Sequence, residues 1–442
     1  MFAQAWPIML GQASVPLVGI VDTVVIGRTG DIAALGGVAL GAMIINLVFW
    51  TFGFLRMGLT GLTAQAHGAN DSPEVEAMLL RGLAIGGALG LALLLLQGPL
   101  TTMALAVMSG GAQVDAQADA YVTARFFGAP AALAVFAITG WLLGLGRTRA
   151  ALALQVVMNG ANAVLDIVFV WGLGMGAGGV GAGTAGAEWI AVFTGIAICT
   201  RVAGGGPVAL LRRSERAALF ARSALSRMFA VNRDLMIRTI ALLLTFTWLV
   251  NAGARLGATT LAANHVLLQF ISVAAFVLDA FAFTAEARIG QAIGSRSRAR
   301  FVRAVRLTGE FALLGGAMLA LTFWLGGTAV IAFMVTDIAT AATARQFLPY
   351  AAVVPLLGAP SWMLDGVFIG ATQGKALRNA AVVTTVLYIA LDLLLRPMGN
   401  TGLWIAFLAS YLLRAATLGP YLPALLRDIT GNETLAKRAT PA

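Results

Sequence analysis

Several residue types that carry chemistry are nearly missing from this 442-residue chain, which holds one cysteine and two histidines. A single cysteine, Cys199, excludes an internal disulfide, and because it lies in an apolar stretch it says nothing of redox compartment. His67 and His265 stand too far from other ligand types to build a metal site. Charge is scarce as well, at 11% of residues against 59% hydrophobic, where a soluble domain carries about 25%. A soluble globular protein is therefore excluded. Walker A, H-E-x-x-H and G-x-S-x-G sequences are all absent, which argues against an ATP-driven pump or an intramembrane hydrolase. Lysine occurs only at Lys375 and Lys437, and with the Ala and Gly richness this arginine bias reads as genomic composition rather than function.

What the chain does have is long apolar runs. Windows near the roughly 20 residues that cross about 30 Å of hydrocarbon fall at 6–27, 40–64, 79–97, 121–144, 150–172, 181–203, 232–251, 259–284, 304–325, 346–370, 379–395 and 401–424. These predict an all-α polytopic membrane protein with twelve spans. No Lys or Arg precedes the first run and no soluble domain follows it, so it reads as a membrane helix and not a secretory signal.

The net charge of +10 does not indicate nucleic acid, because the bases sit in loops beside the spans. Positive loops stay cytoplasmic. Loops after even-numbered spans hold Arg147 and Arg149, then Arg201, Arg212, Arg213, Arg216, Arg222 and Arg227. The next such loops hold six arginines between Arg288 and Arg306, then Lys375 and Arg378, with Arg427, Lys437 and Arg438 in the tail. Loops after odd-numbered spans hold only Arg28, Arg255 and Arg396, with Arg345 at a boundary. Both termini are predicted to be cytoplasmic.

The halves echo one another. GLTAQA at 61–66 matches AFTAEA at 282–287, Arg28 and Gly30 match Arg255 and Gly257, and Leu165, Asp166, Met175, Gly176 and Gly179 match Leu391, Asp392, Met398, Gly399 and Gly402. Six spans per half make a parallel repeat about an axis along the membrane normal. The predicted organisation is a six-helix lobe over 1–205, a basic cytoplasmic linker over 206–228, a second six-helix lobe over 229–425 and a cytoplasmic tail over 426–442.

Asp22 stands out within the first run. A carboxylate at membrane depth costs several kcal/mol, so it points to a cation, a proton or a water-filled path. In span 5, Gln155, Asn159, Asn162 and Asp166 are spaced 4, 3 and 4, one face of a helix that is otherwise mostly apolar. Such a stripe must face protein or water; plain interhelical hydrogen bonding is the alternative reading. Two carboxylates sharing a site can hold a proton, or with the Asn162 amide oxygen and a hydroxyl can ligate a hard monovalent cation. Pro7 and Pro16 lie in the same helix as Asp22, and Pro16 is expected to kink or loosen it.

Other charges at depth are Arg56, Glu188, Asp279, Glu286, Glu310, Asp365, Asp392 and Arg414, for which buried pairing is the alternative to function, Arg56 with Asp279 or Arg414 with Asp392. Glu286 and Glu310 are expected to reach the interface. Gly176, Gly178 and Gly181 spell G-x-G-x-x-G without a preceding strand, so they read as a tight turn in a loop and close helix approach, not a dinucleotide site.

Five segments, PLVGIVDTVVIGRTG at 16–30, FWTFGFLRMGLTGLTAQA at 49–66, NRDLMIRTIALLL at 232–244, AANHVLLQF at 262–270 and LDAFAFTAEARIG at 278–290, resemble the multidrug and toxic compound extrusion family in its DinF-like branch. The resemblance implies two six-helix lobes that export organic, often cationic, compounds in exchange for protons or sodium ions. It also implies a coupling site at Asp22, Asn162, Asp166 and Thr184, with no cofactor beyond the coupling ion. Ion entry would bend the first helix. The related sodium-coupled branch uses an acid in span 7, and none lies in the span 7 core here, which leaves Asp365 a doubtful ion site. Relatives of this kind carry a short leader, so the start is expected to be truncated. The expected setting is the bacterial inner membrane, and the expected partners are a small organic solute and the bilayer, without nucleic acid, for a monomeric protein. The rival function is a lipid-linked precursor flippase, which would need several bases in its cavity, whereas Arg56 and Arg414 read as the only bases well inside spans.

Overall fold

The computed structural model describes residues 1–108, 110–205, 209, 219, 221–427 and 429. Arg212, Arg213, Arg216, Lys437 and Arg438, most of the 206–228 linker and nearly all of the 426–442 tail lie outside the described residues. Within hydrocarbon a backbone N–H or C=O has no water to bond, so a chain this apolar closes its hydrogen bonds along each segment as helix. Among the described residues there is no strand.

The helices are α1 (Phe2–Gly27), α2 (Ile32–Thr51), α3 (Phe54–Gly68), α4 (Ser72–Leu95), α5 (Gln97–Met108), α6 (Ala112–Phe126), α7 (Ala129–Gly144), α8 (Thr148–Asp166), α9 (Gly176–Ala203), α10 (Arg222–Arg255), α11 (Ala258–Gly294), α12 (Arg298–Met334), α13 (Ile338–Gly370), α14 (Gly374–Leu395) and α15 (Asn400–Leu418). Eleven helical stretches among the described residues are long and apolar enough to cross a bilayer, and α6 with α7, bent by 52°, makes a twelfth. This is an all-α polytopic membrane protein of two lobes. Compact packing divides the chain into a first lobe of Leu10–Ala66 and Asp71–Met228 and a second of Met1–Met9, His67–Asn70 and the chain from Phe229 on.

Two features depart from the sequence reading. The stretch between spans 3 and 4 is helical, as α5, which at 12 residues is too short to cross and carries exposed Met103 and Val107. Span 4 is broken at Gly128, and Pro130 sits in the first turn of α7, where its missing N–H costs no helical bond. α1, in contrast, runs unbroken through Pro7 and Pro16. Both lobes turn at equivalent glycines after their first helix, Gly30 at φ +77° and Gly257 at φ +104°, a region that side chains disfavour.

Packing within each lobe relies on small residues, because lipid tails compete with apolar side chains and only close backbone approach adds net attraction. On α4, Gly82, Gly86 and Gly90 recur every fourth residue and press on Leu59, the Leu133 carbonyl and Pro130. In the second lobe Gly366 and Gly370 of α13 abut the backbone of Ala282 and Glu286 in α11. The second-lobe core holds Phe270, Phe323, Phe347, Tyr388, Trp404 and Phe407, and Trp404 donates to the buried Asn264 at 2.9 Å. Gly86→Val, which drives a side chain into the Leu133 carbonyl, is expected to destabilise the protein by about 1–3 kcal/mol, whereas Gly87→Val meets open space. Melting temperatures of both variants in neutral detergent check this.

Candidate functional site

The first lobe brings Asp22 of α1, Asn162 and Asp166 of α8 and Thr184 of α9 together. Asp22 is 7% exposed, Asn162 2% and Asp166 0%, so neither acid faces lipid. The Asp22 and Asp166 carboxyls stand close enough to each other and to Asn162 to act on one another electrostatically. Two carboxylates have no hydrogen to share, so this contact becomes a hydrogen bond only when one of them is protonated. Asn162 donates to the Thr184 hydroxyl at 3.0 Å, and Thr184 donates back to the Val180 carbonyl of its own helix at 3.1 Å.

Local structure explains how Asp166 reaches this position. It ends α8, and the chain continues as a π-helical segment, Ile167–Gly172. Such insertions favour functional positions because they re-aim side chains without breaking the helix. Trp171 of this segment donates to the Val25 carbonyl of α1 at 2.9 Å. Gly183 lies against the Asp166 carboxylate, and any side chain there would occupy its place. Gly176, Gly178 and Gly181, expected in a loop, instead form the first turns of α9, with Gly176 at φ +57° and Gly181 against the Tyr121 carbonyl. Their role is close packing.

The rest of the polar stripe faces α1 too. Gln155 donates to Asn159 at 2.9 Å, and Asn159 donates to the hydroxyl and carbonyl of Ser14 at 2.8 and 3.2 Å. Ser14 escaped the sequence reading because a serine in an apolar run carries no signal until its partner is placed.

Four buried oxygens at this site find no donor among the described protein groups: Asp22 Oδ1, Asn162 Oδ1 and both carboxylate oxygens of Asp166. Buried acceptors normally have partners. A cluster of acceptors without donors suits a proton or an oxygen-liganded monovalent cation. No group of three or more His, Cys, Asp or Glu among the described residues suits a multivalent or transition metal.

Beside the acids lies a charge that the sequence reading missed. Arg125 of α6 is buried, donates to Glu188 of α9 at 2.8 Å, and stacks over the Phe49 ring at 5.2 Å. It is near enough to act electrostatically on Asp22. Gly128, at the bend, leaves room for the Glu188 carboxylate. Arg81 and Arg238 are also buried, the first bonded to Glu74 at 2.7 Å. Arg56 and Arg414 are thus joined by three further buried bases, all placed near window edges by hydropathy, where bases count as topology signals.

The second-lobe acids separate. Arg414 pairs with Asp365, not Asp392, and Arg238 pairs with Asp365 as well. Asp392 is buried and accepts from Trp248 at 2.9 Å. Asp279 is half-buried on α11, within electrostatic reach of Tyr411, and Arg56 is half-buried on α3, its carbonyl accepting from Thr60 at 2.9 Å. Glu286, expected at the interface, is 1% exposed and so enclosed by protein, while Glu310 is exposed and pairs with Arg306 at 2.7 Å.

A many-spanned helical chain with donor-poor carboxylates in its interior belongs to the class of polytopic membrane transport proteins. The particular family follows from the sequence: residues 7–168 and 235–394 match the MatE family model, and the chain belongs to that family of transporters. It is 35% identical over 419 residues to DNA damage-inducible protein F of Escherichia coli K12, covering 94% of this chain and 89% of that protein. It is 28% identical over 373 residues to the probable multidrug resistance protein NorM of Aromatoleum aromaticum, covering 81% and 77%. Solved folds agree: the Vibrio cholerae MATE transporter VcmN in its bent form superposes with a TM-score of 0.84 at 19% identity over 97% of this chain and 96% of that one. A MOP superfamily transporter from Pyrococcus furiosus gives 0.86 at 16% identity over 96% and 95%.

Glu188→Gln leaves the Arg125 charge buried and is expected to destabilise the protein by about 3–5 kcal/mol. Replacing both partners, Arg125→Met with Glu188→Met, is expected to recover most of that loss. Thermal denaturation of the three proteins in detergent decides; a double variant no better than the single one contradicts the pairing.

Proposed function

We propose that the chain is a secondary active exporter of organic, often cationic, compounds, driven by a cation that binds at Asp22, Asn162, Asp166 and Thr184. The observation that carries this reading is the cluster of four buried, donor-free oxygens shared between α1 and α8. A proton bridging the two carboxyls, or a sodium ion taking oxygens from both with those of Asn162 and Thr184, neutralises the cluster. When the cation leaves, two adjacent carboxylates in a low-dielectric interior repel, so loaded and empty states favour different α1–α8 packings. That difference is the requirement for coupling, because a ligand indifferent to conformation shifts no equilibrium.

The names of the bacterial relatives, a damage-inducible protein and multidrug resistance proteins, support export of organic solutes. On this reading the protein lies in the bacterial inner membrane as a monomer, with the first six-helix lobe over 1–205, the cytoplasmic basic linker over 206–228, the second lobe over 229–425, and both termini, including the 426–442 tail, in the cytoplasm. It uses no cofactor beyond the coupling ion, and its substrate is a small organic molecule. Gln155 and Asn159 support the site by fixing the stripe against Ser14.

In proteoliposomes with an imposed proton or sodium gradient, wild-type protein is expected to drive uptake of a cationic dye under one gradient. Asp22→Asn and Asp166→Asn are each expected to lose at least about tenfold in coupled flux while still binding dye, since each removes a charge that the cation neutralises. Wild-type flux in both variants under either gradient contradicts the assigned site.

A further inference from the structure

In the second lobe the charge balance runs the other way. Arg238 of α10 and Arg414 of α15 both direct an Nη2 at one oxygen, Oδ2, of Asp365 on α13. Arg238 is 8% exposed, Asp365 5%, and the Arg414 side chain 12%. Two guanidinium groups and one carboxylate give this buried cluster a formal charge of +1. Asp365, Arg238 and Tyr411 act on the Arg414 charge, and Asp279 of α11 acts on the adjacent Tyr411.

Asp234 shows why burial matters. It too sits between two arginines, Arg378 at 2.9 Å and Arg233 at 3.2 Å, but the Arg233 side chain is 58% exposed and its surplus charge is solvated. At Asp365 the surplus is enclosed, where an uncompensated charge is strongly disfavoured. The hydrogen bonding is unfinished as well: Arg238 Nε is buried without an acceptor and Asp365 Oδ1 without a donor. A guanidinium offers five N–H donors in a planar fork suited to an anion.

An apolar wall adjoins these charges. Trp362, one turn before Asp365, stacks on Tyr411 at 5.0 Å and 25°, and Tyr411 lies next to Arg414. Tyr388, whose hydroxyl is buried without a partner, is within electrostatic reach of Tyr411.

We propose that Arg238 and Arg414, held apart by Asp365, form a binding site for a monovalent anionic group: a halide ion, or the carboxylate of an organic solute whose apolar part lies against Trp362 and Tyr411. The anion neutralises the surplus charge and takes the Arg238 Nε–H, while Asp365 competes with it and sets its affinity. The site is built from second-lobe residues alone and does not rest on the direction or coupling of transport.

The test is isothermal titration of the full-length protein in neutral detergent with potassium chloride in one series and potassium benzoate in another. Saturable binding of at least one anion is expected, chloride alone marking an inorganic ligand and benzoate alone an organic carboxylate. Arg238→Lys keeps the charge but loses the fork, and about tenfold weaker binding is expected. Asp365→Asn removes the competitor, and about tenfold tighter binding is expected, which a purely structural ion pair would not give. Asp22→Asn is expected to bind as wild type does, so failure of the first-lobe reading leaves this one standing. Absence of saturable binding of either anion to the wild type, or unchanged affinity in both Arg238→Lys and Asp365→Asn proteins, overturns the proposal.

Discussion

Inside hydrocarbon every polar group must be satisfied by the protein itself or by something the protein takes up, and this single constraint orders the rest of the structure. For the backbone it selects helices. For side chains it selects pairs such as Arg125 with Glu188, Asn264 with Asn400 and Trp248 with Asp392. Where pairing stops short, the remainder is informative. The first lobe keeps four acceptor oxygens without donors around Asp22 and Asp166, and the second keeps both a buried guanidinium N–H of Arg238 and an oxygen of Asp365 without partners. The two lobes echo one another in sequence, with Leu165 and Asp166 answering to Leu391 and Asp392. Yet the matching aspartates sit in different surroundings: Asp166 lies beside a second acid, and Asp392 accepts from an indole N–H.

Much of the fold was legible because the signal is long-range in composition and short-range in sequence: each span announces itself in about 20 consecutive residues. The first-lobe arrangement was legible for the same reason. Gln155, Asn159, Asn162 and Asp166 declare a shared face by spacing alone, and an acid in α1 has few places to go but against another polar helix. What escaped detection depends on partners distant in sequence. Arg238, Asp365 and Arg414 lie on three helices, and nothing in their local windows says that Arg414 prefers Asp365 to Asp392. Arg125 hid because hydropathy assigns a base near a window edge to the interface, whereas the helix runs on and buries it. α5 hid because its exposed apolar residues have neither the length of a span nor the polarity of a loop.

The bend between α6 and α7 illustrates how a local break serves the interior. Gly128 and Pro130 together let the chain turn by 52°, and the absent side chain at Gly128 is what admits the Glu188 carboxylate. Glu188 in turn fixes Arg125, whose field reaches Asp22. A backbone feature thus tunes the electrostatics of a site on a different helix. The same logic applies at Gly183, where missing bulk makes space for the Asp166 carboxylate.

These contacts define how α1 and α8 hold each other. Two polar rungs join them, Ser14 to Asn159 and Asp22 to Asp166, and the rungs lie eight residues apart on α1, about 12 Å along its axis. The lower rung is an ordinary neutral hydrogen bond that no ion changes. The upper one is attractive when a proton or cation sits between the carboxyls and repulsive when it does not. Between them stands Pro16, which gives α1 no N–H for the Gln12 carbonyl and so removes one bond from the helix where the two rungs would strain against each other. On the proposed function, a helix anchored below, loosened in the middle and charge-sensitive above is what converts occupancy of an ion site into a change of shape. The small-residue packing of the other helices gives that change a rigid frame to act against.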